Sequence, residues 1–265
     1  MPQTDMGRVL LRDIAMAVGL LTRLPVQLDF ESARARGAAA AWAWPLAGVL
    51  VGTVVWAVGM LALWGGLSVG FAAGLALGAG MVVSGAMHED GLADTADGFW
   101  GGWTPERRLE IMKDSHIGTY GVLALVGMFL LRWLGLSAVF GGCGAVAGLG
   151  LLTSLAAITR LPMVVLIHAL PNARGVGLAQ SVGKPAREVV VACAAVVLAL
   201  SAVGFAMAGM IGLLPSILGA VAVATLGVGL LARAKICGQT GDILGAAQQI
   251  SELVGLAVLM AALAS

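Results

Sequence analysis

Residues 38–64 read AAAAWAWPLAGVLVGTVVWAVGMLALW, a run without one charged side chain. About 20 apolar residues in a helix cross roughly 30 Å of hydrocarbon, and this run is longer than that. Six more apolar runs follow, each with at most one charged residue, at about 67–87, 119–140, 144–170, 188–208, 211–232 and 244–264. Together they predict an all-α, polytopic integral membrane helical bundle with about seven transmembrane helices, forming a single domain over 1–265. Composition agrees: the chain is 60% hydrophobic and 11% charged, whereas soluble domains are about 25% charged. Its 39 glycines are scattered through the apolar runs, as in membrane helices whose backbones pack closely.

The links between runs are of two kinds. Gly65-Gly66, Gly141 to Gly144 and Gly209 to Gly212 are short and uncharged, and read as turns inside helical hairpins. The segments 1–37, 88–118, 171–187 and 233–243 carry almost every charge. Of 15 Lys and Arg residues, only Arg132 and Arg160 fall inside the runs. Because each hairpin crosses twice, all four charged segments lie on one side, and the positive-inside rule places that side in the cytoplasm. Any site is expected there, with the lipid bilayer as partner and no nucleic acid. Residues 8–24 suit an amphipathic helix lying on the membrane, with Arg8 and Arg12 one turn apart and facing water. Cys143, Cys193 and Cys237 lack paired spacing and read as packing residues. An intramembrane arginine such as Arg160 is a functional candidate, although one near a helix end also snorkels.

The chemistry is concentrated in His88-Glu89-Asp90-Gly91-Leu92-Ala93-Asp94-Thr95-Ala96-Asp97-Gly98. On a helix Asp90, Asp94 and Asp97 fall within an arc of about 60°. Three carboxylates so placed repel one another at low dielectric unless a cation stands between them. Hard oxygen donors with open positions suit Mg²⁺ that also binds phosphates, so a divalent-metal site for a diphosphate is expected. A solvated acidic loop is the bland alternative, and it explains neither the register nor the position against a membrane run. Zinc fits poorly, with no cysteine near and His116 far along the segment.

Downstream, Arg107 or Arg108 suits a bidentate phosphate clamp, Lys113 adds a cation and Asp114 a further metal ligand. The alternative for Arg107 is pairing with Glu110 on a surface helix. Cys237-Gly238-Gln239-Thr240-Gly241-Asp242 returns glycines, a hydroxyl and a carboxylate to the same face, where Asp242 is a metal ligand or a helix cap. Loop 171–187, with Arg174 and Lys184, suits a phosphate lid or a plain connector.

The runs HEDGLADTADGFWGG and RRLEIMKDSHIGTYG strongly resemble the cobalamin synthase (adenosylcobinamide-GDP ribazoletransferase) family. LLTRLPV (20–26), WPLAGVLVG (44–52), ITRLPMV (158–164), ARGVGLA (173–179) and GQTGDILGA (238–246) extend the likeness, in order, over nearly the whole chain. The resemblance implies Mg²⁺ as cofactor, a bacterial inner membrane, and adenosylcobinamide-GDP with α-ribazole or its 5′-phosphate as substrates. The ribazole 5′-hydroxyl is expected to attack the cobinamide-side phosphorus, giving adenosylcobalamin or its 5′-phosphate and releasing GMP. On this reading Asp90, Asp94 and Asp97, with Asp114 and Asp242, hold the metal. Arg23, Arg107, Arg108, Lys113, Arg160, Arg174, Gln239 and Thr240 meet substrate. The general base is His88 or one of the aspartates.

Other diphosphate enzymes fit less well. CDP-alcohol phosphotransferases share Asp-x-x-Asp-Gly, here Asp94 to Gly98, but not the spacing beyond it. Membrane prenyltransferases carry a second acidic motif, where this chain offers only Asp242. An ion-coupled transporter would place its carboxylates near the bilayer midplane, whereas these cluster at one surface.

Overall fold

The computed structural model describes residues 3–27 and 36–264. Part of the charged segment 1–37, residues 28–35, therefore lies outside the described residues. Among the described residues the chain is helical throughout, with no strand. Helix α1 is Gln3–Leu21, and a 3₁₀ turn, Gly37–Ala43, leads into α2 (Trp44–Trp64). There follow α3 (Val69–Ser84), α4 (Met87–Gly101), α5 (Pro105–Ile111), α6 (Thr119–Gly142), α7 (Ala145–Ile158) and α8 (Leu161–Ala169). The series closes with α9 (Leu178–Val182), α10 (Arg187–Met207), a short 3₁₀ turn, α11 (Leu214–Ile236) and α12 (Gly241–Leu263).

Six helical stretches are long and apolar enough to cross a membrane: 37–64, 119–142, 145–169, 187–207, 211–236 and 241–263. They coincide with six of the seven expected runs. The seventh, 67–87, is different. Helix α3 stops at Ser84, and the chain turns by 89° into α4, through Gly85 (φ +66°) and Ala86 (φ +54°), both in the left-handed region. At 1.5 Å per residue the 16 residues of α3 reach about 24 Å, short of the hydrocarbon thickness. Hydropathy registers apolar length but not backbone dihedrals, so the sequence reading carried the run past the bend. The bent pair makes a seventh span only if both halves are taken together.

Helices α7–α8 and α12 are the most enclosed spans, and the others surround them. Close approach rests on glycine: a Cβ at Gly48 or Gly52 would collide with the α7 backbone at Ala156 and Leu152, and Gly150 meets Gly204 of α10 backbone to backbone. This is the small-residue packing expected where lipid tails are as apolar as the side chains. Large apolar residues such as Leu123, Val203, Val223 and Leu226 point outward, each more than 60% exposed, as a lipid-facing surface requires.

Helix α1 does present Arg8 and Arg12 outward, but its other face is anchored to the protein. Asp13 is fully buried and accepts from Arg36 Nε at 2.9 Å and Trp42 Nε1 at 2.8 Å. Hydrogen bonding to that carboxylate holds the Arg36 guanidinium above its ordinary pKa.

Candidate active site

The acidic segment is helical, as its spacing predicts, and α4 lies across the start of α12. Two glycines make the crossing possible. A Cβ on Gly91 would stand 2.8 Å from the Asp242 carbonyl oxygen, and one on Gly245 would stand 3.2 Å from the His88 backbone. The contact brings Asp94 within electrostatic reach of Asp242, Asp90 and Arg174.

The start of α12 is itself tightly built. Cys237 (φ +57°) ends α11 in a left-handed turn. The strip after it then pairs with the loop before Arg174: Gln239 N donates to Pro171 O at 2.8 Å and Ala173 N to Gln239 O at 2.9 Å. Gly238 permits the approach, since a Cβ there would strike the Pro171 carbonyl. Asn172 Oδ1 accepts from the backbone N–H of Arg174 (3.0 Å) and Gly175 (2.7 Å), fixing the turn. Arg174 then reaches Asp242 at an ion-pair distance of 2.8 Å. Thr240, not Asp242, is the cap of α12: its hydroxyl accepts from Ile243 N and donates to Asp242 Oδ2 at 3.1 Å.

Asp90, Arg174 and Asp242 form the polar mouth of a pocket of about 160 Å³, whose buried lining includes Thr240 with Leu21, Trp44, Met163, Ile167, Ala179 and Leu244. His88 lies in its wall, 1% exposed, with Nε2 unpaired.

Asp97 serves elsewhere. Its carboxylate accepts from Gly118 N at 2.7 Å and Gly121 N at 2.9 Å, closing the first turn of α6 from a neighbouring helix. Both glycines are needed, because a Cβ on either would overlap the carboxylate. Asp97 and Asp114 line a second, more open cleft of about 300 Å³ with His116 and Tyr120. There Asp114 Oδ1 lies 2.7 Å from His116 Nδ1. That bond lowers the Asp114 pKa and raises that of His116. Of the expected stripe of three aspartates, Asp90 thus lines the pocket and Asp97 caps α6, while Asp94 lies within electrostatic reach of both and of Asp242 and Arg174. Among the described residues, no three acidic, imidazole or thiol groups are preassembled about one ion position.

The expected cations divide in the same way. Arg174 alone meets the pocket carboxylates. Arg107 pairs with Glu110 at 3.0 Å on an exposed helix, as the bland alternative had it. Arg108 donates to the carbonyls of Gly102 and Lys235, both at 2.9 Å, fastening α5 to the end of α11. Lys113 is exposed. Arg23 lies over the bend, where a Cβ at Gly85 would overlap its side chain. Gln239 is buried with Oε1 unpaired.

Arg160 is 2% exposed and faces inward, donating to Thr159 Oγ1 at 2.9 Å. It lines an interior cavity of about 40 Å³ with His88, Glu89, Arg132 and Glu252. Arg132 bridges Glu89 (2.9 Å) and Glu252 (2.8 Å) and donates to Gln249 Oε1 at 2.8 Å. Gln249 in turn donates to Glu89 Oε1, and Gln248 to Glu252 Oε2. The sequence reading did not assign this cluster. Its signal was available in Gln248, Gln249 and Glu252, polar positions inside an apolar span one helix turn apart.

A sequence model of the family described as cobalamin-5-phosphate synthase matches residues 13–260. The chain is 43% identical over 255 residues to a Brucella ovis protein named adenosylcobinamide-GDP ribazoletransferase, covering 96% of this chain and 98% of the relative. Proteins of the same name from Brucella canis and Brucella melitensis are 43% and 42% identical over the same shares. No solved structure matches.

Proposed function

The chain belongs to the cobalamin-5-phosphate synthase family, and from that membership and the carboxylate-mouthed pocket we propose that it joins adenosylcobinamide-GDP to α-ribazole or its 5′-phosphate. The observation that carries the reading is the meeting of Asp90, Asp94, Asp242 and Arg174 where α4 crosses α12. A hydroxyl of the acceptor forms a new bond to the cobinamide-side phosphorus. The bond from that phosphorus to the bridging oxygen breaks, and GMP leaves with both electrons of that bond. The family description names a 5-phosphate product, and an acceptor phosphorylated at its 5′ position has no 5′-hydroxyl to give. The attacking oxygen is therefore one of the remaining ribose hydroxyls, in place of the 5′-hydroxyl expected above.

Phosphoryl transfer needs positioning and charge neutralisation more than covalent help. The donors at the mouth suit Mg²⁺, which takes one or two carboxylates and leaves its other positions to water and phosphate. Asp90, Asp94 and Asp242 are the residues that would hold it, while Asp97, engaged with α6, and Asp114 line the second cleft. Bound there, Mg²⁺ would offset diphosphate charge. Arg174, tethered by Asn172, holds the phosphate from the loop side. The acceptor's proton goes to His88 or to one of the mouth aspartates. The reading places the protein in a bacterial inner membrane with the site facing the cytoplasm, where the positive-inside rule puts its charged segments.

The test is turnover by detergent-purified protein given both substrates, with and without Mg²⁺, beside Asp94→Asn. GMP and a cobalamin should form only with the metal, and the variant should lose at least about a hundredfold in kcat. Folded, monodisperse protein that makes neither product overturns the proposal.

A further inference from the structure

The pocket beneath the carboxylates has two chemically distinct ends. Asp90, Arg174 and Asp242 stand at the more exposed end. The buried floor is mainly aliphatic, aromatic and thioether (Leu21, Trp44, Met163, Ile167, Ala179 and Leu244), with His88 and Thr240 its buried polar members. The floor is preformed, since each of these six residues is less than 9% exposed. They come from α1, α2, α8, α9 and α12, so the space exists only in the assembled fold. Its volume, about 160 Å³, is close to the roughly 150 Å³ of an apolar protein cavity that takes up benzene.

A ligand that fits has a flat apolar body and a hydroxylated end, oriented body inward. Resting on the reaction proposed above, four bodies compete for the space. A corrin ring with its amide rim is too large. Guanine and the adenine of the adenosyl group are small enough, but each would bring several polar edge groups against an interior whose one unpaired polar atom, among the described residues, is His88 Nε2. Each group left unpaired costs about 1–3 kcal/mol. The fused-ring base of α-ribazole has a single polar edge atom, its imine nitrogen, and one buried partner in His88 Nε2 is enough for it. We infer that this pocket is the acceptor subsite: the apolar base lies among Trp44, Met163, Ile167 and Ala179, and the ribose is left at the mouth beside Asp90 and Asp242. The geometry also orients the acceptor, because a base buried in the floor presents its sugar hydroxyls to the carboxylates where the diphosphate is held.

Loop 171–183 closes one side of the subsite, with Arg174 at the mouth and Ala179 and Val182 against the floor. Gly175, Gly177 and Gly183 all have positive φ, which lets this short path fold back over the pocket.

Ala179→Phe fills the floor from the short α9, and Ile167→Ala enlarges it from α8. Titration calorimetry of α-ribazole into detergent-purified protein needs no turnover. Ala179→Phe is expected to weaken α-ribazole at least tenfold while leaving the KM for adenosylcobinamide-GDP within twofold. Ile167→Ala is expected to shift preference about tenfold toward the riboside of a ring-extended naphthimidazole, a gain that a misfolded variant cannot give. Unchanged α-ribazole binding in both variants overturns the subsite while leaving the reaction standing, as does a shift that falls on the cobinamide substrate. Wild-type protein that binds α-ribazole in this variant-sensitive way yet makes no cobalamin overturns the reaction and leaves the pocket. Failure of wild-type protein to bind α-ribazole overturns the subsite outright.

Discussion

Replacing Asp97 separates a fastening role from a metal-binding one. Its carboxylate is 7% exposed and accepts two backbone N–H groups from the first turn of α6, at 2.7 and 2.9 Å. Hydrogen bonds to a charged group contribute about 1.5–3 kcal/mol each. Interaction with the α6 dipole adds about 0.3–1 kcal/mol. Water at the partly open second cleft recovers some of this when the carboxylate is lost. Asp97→Ala is therefore expected to cost about 3 kcal/mol. Asp97→Asn keeps one acceptor oxygen without the charge and is expected to cost about half as much. The assay is denaturant or thermal unfolding in detergent, followed by far-UV circular dichroism, with Mg²⁺ affinity measured in parallel. Asp97→Ala that unfolds within about 0.5 kcal/mol of wild type, yet loses metal binding, would refute the capping argument and return Asp97 to the metal.

Three further outcomes follow from the geometry. Gly91→Val, which puts side-chain bulk where α4 meets the Asp242 carbonyl, should separate Asp94 from Asp242; turnover is expected to fall about a hundredfold, with destabilisation of about 1–3 kcal/mol, read from kcat and thermal unfolding together. Arg132→Met leaves Glu89 and Glu252 buried without their shared cation, at a cost of about 3–5 kcal/mol; the triple replacement with Glu89→Gln and Glu252→Gln should recover most of it, and no recovery would count against the network. His116, paired with Asp114, should titrate above the ordinary histidine value by NMR, and Asp114→Asn should bring it down. Because the His116 pKa is raised and that of Asp114 lowered, any stabilisation from this pair is present between the two and is lost as pH rises through the first or falls through the second.

Hydropathy alone located six of the seven runs, because a stretch of 20 or more residues with at most one charge has few alternatives to spanning a membrane. It missed the end of α3, where two consecutive left-handed residues, one of them Ala86, break the helix. Gly85 was a visible hint, but only tertiary support holds an alanine there. The acidic helix was legible in register and less so in direction. An arc of about 60° looks like one face on a helical wheel, yet a neighbouring helix start is narrow enough for Asp97 to reach one partner while Asp94 meets another. Arg174 was chosen for its charge and proves to hold Asp242, whereas Arg108, chosen on the same ground, spends its guanidinium on backbone carbonyls. Formal charge identifies candidates, and only the backbone path shows which of them are already engaged.

The dependence of both polar assemblies on α12 bears on biogenesis. This helix brings Asp242 to the mouth of the pocket, and Gln249 and Glu252 to Arg132. It leaves the ribosome after every other element described here. Until it inserts, Arg132 lacks two of its three partners and Asp94 faces no opposing carboxylate. A nascent chain paused before Gly241 thus lacks the Asp242 side of the pocket and is left with an under-compensated cation in a membrane-spanning helix. Insertion of this one span completes the core and the site in a single event.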